Sequence, residues 1–546
     1  MKLVALIAGA EVPALAQQTQ SPADERISLE ILTSTLKASG LEFTEAQLKM
    51  MLKGVRDNLT AIEALRKINV KPEVSPAFTF STALPGKPRT RQTGRFLPSR
   101  IVAPKKSNDL HYSSVVELGA MLRAKRITSR ELTELYIGRL KQHAATLNCV
   151  VNFTSDLAME QATRADAEIR KGKYRGPLHG VPWGAKDLFA TTVTPTTWGA
   201  ENYKSQVFDY NATVVDKLDK AGAVLIAKLS MGALAMGGLW YGGMTKNPWN
   251  TEQTSSGSSA GSASATAAGL VGFALGTETL GSITTPSRIC GTVGLRPTFG
   301  RVSRHGAMAL CWTLDKVGPI ARYAEDCALV LKAIQGSDGQ DLTVIDEPLS
   351  WNPRQPLKQL RIGVVQAAFD SARGADPEVS LKALEDLRKA GAELKPVTLP
   401  TLDSSFVGLV LGAEAAAAFD DLTRDGGVDK LPGQAANDWP TQFRTNRTIP
   451  AVEYIRAQRA RTLLMREMED FMAQWDVIIS PGGRLVSVTN LTGHPQLSLP
   501  CGFGANGTPR ALLLTGRLFE EGKLLRVAHA YQQATKWHKE RPKGFA

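Results

Sequence analysis

Positions 254–264 contain only serine, glycine, alanine and threonine, and an alanine-rich run continues from there to Ala268. Such small side chains allow one backbone segment to approach another, or a ligand, at close range. A flexible Ser/Gly linker is the common alternative. It is disfavoured because the run enters a helix-prone alanine stretch and then the apolar residues 270–275. The segment therefore predicts a tightly packed element inside a folded domain.

Two familiar motifs do not account for this run. A phosphate-binding loop requires a Gly-Lys-Ser/Thr sequence, which is absent here. Residues 257–261 satisfy Gly-x-Ser-x-Gly with Ser259 at the centre, as in the nucleophile elbow of α/β-hydrolases. That elbow must follow a buried strand, whereas residues 247–253 are polar and contain a proline. The context therefore excludes the elbow.

A glycine-bearing turn at residues 276–283 directly follows the apolar run and contains Ser282. A serine in a tight turn at a strand end can expose its hydroxyl, and successive backbone N–H groups there can converge on an oxyanion. The alternative is a plain turn. Taken alone, the segment supports both interpretations equally.

Lys186 lies among small and apolar residues, in the sequence GPLHGVPWGAKDLF at positions 176–189. Burial would penalise its ammonium form and lower the pKa from about 10.4. A neutral lysine is a competent general base. Alternatively, Asp187 neutralises the lysine, or the lysine is exposed at a turn. Taken alone, this segment favours the second interpretation.

The three segments together resemble the amidase signature family. The Ser/Gly-rich signature of that family corresponds to residues 256–298, and its lysine motif to residues 176–187. Ser258 and Ser282 are 24 positions apart, as the family pattern requires. The likeness extends over residues 110–535, about three-quarters of the chain. Further matching motifs are at residues 246–250, 300–304, 314–319 and 492–500.

The resemblance implies a Ser–Ser–Lys triad that needs no metal or cofactor. Ser282 would be the nucleophile, Ser258 would relay its proton from a cis peptide bond, and Lys186 would be the final base. The backbone N–H groups of Thr279, Leu280, Gly281 and Ser282 would form the oxyanion hole. Alternating apolar runs and helical patterns independently indicate an α/β fold. We expect a single large domain with a mixed central sheet covered by helices, plus an N-terminal helical extension.

Three departures from the family pattern bear on the substrate. Leu280 replaces the first glycine of the common Gly-Gly-Ser turn, and Thr284 replaces a frequent arginine. Residues 231–236 lack the acidic pair of the tRNA-dependent amidotransferase subunits, which makes a glutamine-handling pocket less favoured. Met231 and Trp240 indicate an apolar or aryl-accepting surface, although both could equally be core residues.

The first 107 residues divide into segments of different character. Residues 1–16 resemble a short secretory signal peptide, although Glu11 weakens the likeness. Residues 17–70 are predicted to be helical, with a capping box at Thr44 and Gln47. Residues 71–107 are predicted to be an extended, proline-containing basic linker, followed by the amidase signature domain at 108–546. Export to the periplasm or medium follows from a genuine signal; otherwise the chain is cytoplasmic.

Composition excludes several classes of protein. The formal net charge of +13 is spread along 546 residues, apart from seven basic residues and no acid between Lys87 and Lys106. Prolines interrupt that run and no aromatic pattern accompanies it, so a solvated linker is favoured over a nucleic-acid-binding tail. No apolar stretch is long enough to span a membrane. The five cysteines show neither zinc spacing nor a disulfide framework.

These observations favour an amidase acting on a small apolar or aryl amide, with esters and carbamates as side substrates. One alternative is the glutaminase (A) subunit of a tRNA-dependent amidotransferase, which would need a partner protein and the cytoplasm. Another is a catalytically silent binding or scaffold protein. The sequence leaves open the natural amide, homodimerisation and the task of the N-terminal helices.

Overall fold

The computed structural model describes residues 26–65, 79–82, 94–99, 101–104, 109–370, 376–483 and 485–546. The predicted signal peptide, residues 1–16, lies outside the described residues. The chain divides into two compact units, Met1–Lys71 and Pro72–Ala546.

The described part of the first unit contains two helices, α1 (Leu29–Ala38) and α2 (Glu45–Leu65). Ser28 caps α1 by accepting a hydrogen bond from the N–H of Ile31. Before α2, the N–H of Thr44 donates to Gln47 and the N–H of Gln47 donates to the Thr44 hydroxyl. The predicted capping box is therefore present, and it fixes where α2 begins.

An eleven-stranded mixed sheet forms the centre of the second unit. Its strands are β1 (Val150–Phe153), β2 (Pro182–Lys186), β3 (Val224–Leu229), β8 (Phe273–Glu278), β9 (Val293–Arg296), β10 (Lys316–Ala321), β11 (Ile362–Val364), β12 (Leu394–Pro396), β13 (Val477–Pro481), β14 (Gln496–Phe503) and β15 (Pro509–Gly516). Their order across the sheet is β1-β3-β2-β8-β10-β9-β14-β15-β13-β11-β12. Four strand pairs are parallel, namely β2–β3, β2–β8, β11–β12 and β11–β13, and the others are antiparallel.

Four short strands outside the central sheet form two hairpins. They are β4 (Leu239–Trp240) with β5 (Gly243–Met244), and β6 (Lys246–Asn247) with β7 (Asn250–Thr254).

Helices of the second unit pack against the sheet and enclose the core. They are α3 (Val115–Arg123), α4 (Ser129–Leu147), α5 (Ser155–Arg170), α6 (Thr213–Lys220), α7 (Ala260–Ala267), α8 (Thr284–Cys290), α9 (Ala324–Ile334), α10 (Gln366–Asp370), α11 (Pro377–Lys389), α12 (Val407–Ala418), α13 (Asp420–Arg424), α14 (Trp439–Asn446), α15 (Ala451–Met472), α16 (Val486–Thr492) and α17 (Glu521–Ala534).

This architecture confirms the predicted α/β fold with a mixed central sheet. The central strands β2, β3, β8 and β10 are buried at every residue, as expected for a sheet covered on both faces. Within the described residues, no helix combines the length and apolar character needed to cross a membrane. The five cysteines are free and buried.

The longest strand pair, β14 and β15, has no counterpart in the sequence prediction. Pro500 lies inside β14, and a proline within a run argues against an interior strand. The structure accommodates it because the register between the two strands shifts between Pro500 and Gly502. Such a bulge tolerates the missing backbone donor.

The predicted solvated linker, residues 71–107, is partly docked where the structure describes it. The N–H of Leu97 donates to the carbonyl of Trp351, and the N–H of Trp351 donates to the carbonyl of Arg95. The N–H of Ser99 donates to the carboxylate of Glu325 at 2.6 Å. The described residues 95–99 therefore pair with the domain.

Candidate active site

Lys186 is the last residue of β2, and it is fully buried. β2 runs parallel to β3 on one side and to β8 on the other. The Nζ atom lies 2.8 Å from the Oγ of Ser258 and donates a hydrogen bond of 2.8 Å to the Oγ1 of Thr277. The fold therefore joins the lysine segment to the serine-rich segment, which are 72 positions apart.

The environment of Lys186 favours the neutral amine. Burial lowers the pKa of Lys186 to about 7, although the carboxylates of Asp315 and Glu278 oppose the shift. The neighbouring Asp187 forms an ion pair with Lys228, whose Nζ lies 2.9 Å from its carboxylate. Lys186 is therefore neither exposed at a turn nor paired with Asp187.

Ser258 follows a cis peptide bond, Gly257–Ser258, as the resemblance implied. A side chain at position 257 would overlap the carbonyl oxygen of Gly237, at 1.7 Å from the added carbon. The carbonyl of Ser258 accepts a hydrogen bond of 3.3 Å from the N–H of Gly232. Backbone contacts on both sides thus hold the Ser258 hydroxyl against Lys186.

Ser282 lies in the turn between β8 and α8. Ser282 is 8% exposed, against 1% for Ser258. The N–H of Ser259 donates to the carbonyl of Ser282 at 3.2 Å and ties the two serine segments together. Within the part of the chain that the structure describes, no hydrogen bond links the hydroxyls of Ser258 and Ser282. The structure places Lys186 and Ser258 in contact, and the backbone of Ser282 is bonded to Ser259, the residue next to Ser258.

The backbone N–H groups of the turn after β8 differ in whether they have a hydrogen-bond acceptor. The N–H groups of Ile283 and Thr284 each donate to Oε2 of Glu278 at 2.9 Å. Among the described residues, the preceding N–H groups at 279–282 have no hydrogen-bond acceptor. Gly281 has a φ of +93°, a conformation that favours glycine. These four N–H groups are thus available to an exogenous acceptor.

Glu278 and Arg296 form a buried ion pair beneath the turn, which the sequence interpretation missed. Arg296 Nη1 lies 2.8 Å from Oε1 of Glu278, and Asn490 donates to the same oxygen at 3.0 Å. Burial alone would raise the pKa of Glu278, but Arg296 and the N–H of Thr284 bring it to about 2. A glutamate at the end of an apolar strand was the signal in the sequence. Arg296 and the N–H of Thr284, the position where the family often has arginine, both bind the carboxylate of Glu278.

Thr277 and Asp315 were also missed as members of the site. Thr277 accepts a hydrogen bond from Lys186, and the hydroxyl of Thr279 donates to Oδ1 of Asp315 at 2.6 Å. Oδ2 of Asp315 accepts from the N–H groups of Leu310 and Cys311 at 2.8 and 3.0 Å. Asp315 therefore connects the turn after β8 to the loop before β10.

A cavity of about 700 Å³, including its open mouth, adjoins Thr277 and Thr279. Its charged groups are engaged within the protein: Arg304 pairs with Asp341 at 2.8 Å, and the Lys316 side chain donates to the carbonyl of Leu314. Its apolar lining consists of Leu188, Ala235, Ala307, Met308, Ala309, Leu310, Trp312 and Val317.

The two residues predicted to bind substrate are not in this lining. Met231 is fully buried, and the side chain of Trp240 is 6% exposed. Ala235, from the same sequence stretch, does face the cavity. Across the described ranges, no three or more His, Cys, Asp or Glu side chains are grouped to hold a metal ion.

The mixed sheet with its buried Lys186–Ser258 contact agrees with the family resemblance of the sequence, and so does comparison with known proteins. The family model described as Amidase matches residues 131–485. The A subunit of glutamyl-tRNA(Gln) amidotransferase from Pseudomonas syringae pv. tomato is 37% identical over 488 residues, which are 80% of this chain and 100% of that protein. The counterpart from Moorella thermoacetica is 35% identical over 486 residues, 80% of this chain and 99% of that protein.

Solved structures extend the likeness. The native peptide amidase from Stenotrophomonas maltophilia superimposes with a TM-score of 0.70 at 30% identity, covering 78% of this chain and 97% of that chain. The present chain belongs to the amidase signature family. It is accordingly an enzyme of the class that hydrolyses carbon–nitrogen bonds of amides.

Proposed function

We propose that this chain hydrolyses a carboxylic amide through an acyl-enzyme on Ser282. The observation that carries the proposal is the buried Lys186, whose Nζ lies 2.8 Å from the Oγ of Ser258. A serine hydroxyl is a weak nucleophile until a base removes its proton. An amine with a pKa of about 7 is partly unprotonated at neutral pH and can serve as that base.

The reaction then proceeds by a two-step proton relay. Ser282 Oγ attacks the amide carbon and passes its proton to Ser258, which passes its own proton to Lys186. The resulting ammonium returns a proton through Ser258 to the leaving nitrogen, and the C–N bond breaks. Water then attacks the acyl-enzyme by the same relay and releases the acid. The two serine hydroxyls must move into contact when substrate binds, since catalytic hydrogen bonds often close only in the complex.

The N–H groups of Thr279, Leu280, Gly281 and Ser282 supply the oxyanion hole in this proposal. Fixed backbone dipoles stabilise the negative charge that develops on the carbonyl oxygen. Their lack of acceptors among the described residues supports this role. Leu280 still provides its N–H, so the side chain at this position alters the wall and leaves the donor in place.

The cavity beside Thr279 supports a neutral apolar or aryl acyl group as substrate. Its wall contains small alanines next to Met308 and Trp312, which suits a flat apolar group. Arg304 and Asp341 neutralise each other, so the cavity offers no unpaired charge for a zwitterionic amino acid from that pair. Esters and carbamates carry the same acyl centre and are expected side substrates.

A second candidate function is favoured by the sequence relatives. Full-length matches at 37% and 34% identity carry the name of the A subunit of glutamyl-tRNA(Gln) amidotransferase. On this hypothesis the chain releases ammonia from an amide for partner subunits, and it acts in the cytoplasm where charged tRNA is found. These relatives favour the cytoplasmic alternative over export. The missing acidic pair at residues 231–236 counts against the amidotransferase-subunit function.

Two experiments test the proposals. A fluorophosphonate probe should label the wild-type chain and fail to label Ser282→Ala; labelling retained in the variant would overturn the nucleophile assignment. Turnover of an amide, ester and carbamate panel, with glutamine included, then separates the substrates. Glutamine hydrolysis that requires added amidotransferase partner subunits identifies the second function. A folded chain that turns over nothing in either format would favour the scaffold alternative.

A further inference from the structure

The short described segment Thr79–Thr82 belongs to the second unit and lies upstream of the residues that the family model matches. The ring of Phe80 meets the ring of Phe299 edge to face, with 4.9 Å between the centroids. Thr82 is buried. Its methyl group lies so close to Gly493 that a side-chain carbon added to that glycine would be 2.6 Å away. The segment therefore packs closely against the rest of the domain.

Phe80 also covers a buried cation. The guanidinium carbon of Arg461, on α15, lies 3.5 Å from the centroid of the Phe80 ring. Burial lowers the pKa of Arg461 to about 10, with Glu414 opposing the shift, so the group remains cationic at neutral pH. An aromatic face attracts such a cation most strongly when water is excluded. Phe80 thus stabilises the position and charge of Arg461.

The edges of the Arg461 guanidinium hold the loop that leads into β10. Nη2 donates to the carbonyl of Thr313 at 2.8 Å, and Nη1 donates to its hydroxyl at 2.9 Å. Nε donates to the carbonyl of Leu491 at 2.5 Å. Glu414 fixes the same loop by accepting from the N–H of Thr313 at 2.9 Å. Arg461 therefore has its edges engaged by acceptors and one face covered by Phe80.

The loop held by Arg461 contacts the candidate oxyanion turn through Asp315, two residues after Thr313. Asp315 accepts the hydroxyl proton of Thr279 and the N–H groups of Leu310 and Cys311. Leu310 and Trp312 of this loop line the cavity. A shift of Arg461 would therefore be transmitted through Thr313 to both the turn and the cavity wall.

We propose that Phe80 is a positioning residue for the active-site turn: it clamps Arg461 onto Thr313 and so sets the loop that carries Asp315. The catalytic consequence rests on the proposed function, whereas the structural consequence does not. An upstream segment thereby completes a site whose chemical groups all lie in the family domain.

The test compares Phe80→Ala with Phe80→Tyr, which keeps the aromatic face, and with Phe96→Ala. Phe96 is the matched control. It lies on the same upstream stretch as Phe80, and its backbone forms a β-bridge with Trp351. Hydrogen exchange measured by mass spectrometry should accelerate in peptides covering 310–316 and 276–283 only in Phe80→Ala. We expect kcat on a turned-over amide to fall about tenfold in that variant, because a misplacement of reacting groups by about 1 Å costs about a hundredfold and the shift through Thr313 is smaller than that. Phe80→Tyr should restore both.

Unchanged exchange in peptide 310–316 of Phe80→Ala would overturn the positioning role, whatever the activity. Equal acceleration in Phe96→Ala would also overturn it, because general loosening would then be the cause. A wild-type chain without amide turnover would instead refute the proposed function, while the exchange measurement would still decide the role of Phe80.

Discussion

The Oγ1 of Thr277 accepts a hydrogen bond of 2.8 Å from the Nζ of Lys186, and the backbone carbonyl of the same threonine lies 3.5 Å from that atom. A neutral amine has two N–H groups and one lone pair. When Thr277 accepts the N–H groups, the lone pair is left to face the Ser258 hydroxyl. This arrangement orients the amine to accept a proton from Ser258.

Replacing Thr277 tests that orientation. Thr277→Val keeps the shape of the side chain and removes the acceptor, so we expect kcat to fall about a hundredfold, at the lower end of the range of general-base contributions. KM should change little, since the substrate does not need this hydroxyl to bind. Thr277→Ser, which keeps the hydroxyl, is the matched control. Equal rates for the valine and serine variants would contradict the assignment.

The protonation of Lys186 predicts the pH dependence of activity. The base must be neutral, and its pKa is about 7. The value of kcat/KM should therefore rise with pH through about 7 and level off above it. Chelators should leave the rate unchanged, because every group in the proposed relay is a protein side chain. A profile that falls over this range, or loss of turnover with chelator, would show that another group is the base.

The same pKa predicts a change in stability. The unfolded chain holds the lysine proton up to about 10.5, whereas the folded chain releases it near 7. Between those values the unfolded state binds more protons, so the free energy of unfolding rises with pH. Lys186→Met should reduce that rise by up to about 1.4 kcal/mol per pH unit. Urea unfolding of both chains at several pH values measures the difference; identical slopes would mean that Lys186 is not shifted.

The Glu278–Arg296 pair should be essential to the turn. Glu278→Gln leaves Arg296 buried without its counter-charge, which costs about 3–5 kcal/mol. The double variant with Arg296→Met should recover part of that stability but little activity, because the turn loses its charged acceptor. In the wild type, the contribution of Glu278 is present above its ordinary pKa of 4.5 and is lost as the pH falls towards 2. A fully stable single variant in urea unfolding would refute this.

Filling the cavity should change which amides are turned over. Ala309→Phe places a ring in the space beside Met308 and Trp312. We expect kcat/KM for bulky aryl amides to fall at least about tenfold, while the smallest amides are less affected, as size selection in apolar pockets predicts. Ala473→Phe, at an exposed position, is the control. A uniform loss across all substrates would indicate misfolding or a cavity unrelated to the acyl group.

Local patterns predicted much of this architecture. The capping box at Thr44 and Gln47 precedes α2, and the apolar run at 270–275 leads into β8. These predictions succeed because capping and hydrophobic periodicity depend on residues that are close in sequence. The β14–β15 pair escaped prediction because a bulge, which is a property of two paired strands, accommodates Pro500.

The sequence by itself determined the family, the segments that carry Lys186, Ser258 and Ser282, and the α/β class of the fold. The tertiary structure alone decided that Lys186 is buried with its pKa lowered to about 7, that Thr277 and Glu278 contact the site, and that Phe80 reaches Arg461. The physical reason is that a pKa, a cavity and a clamp arise from desolvation and contacts between groups far apart in the chain. Residue identity records which groups are available, and only packing settles which of them meet.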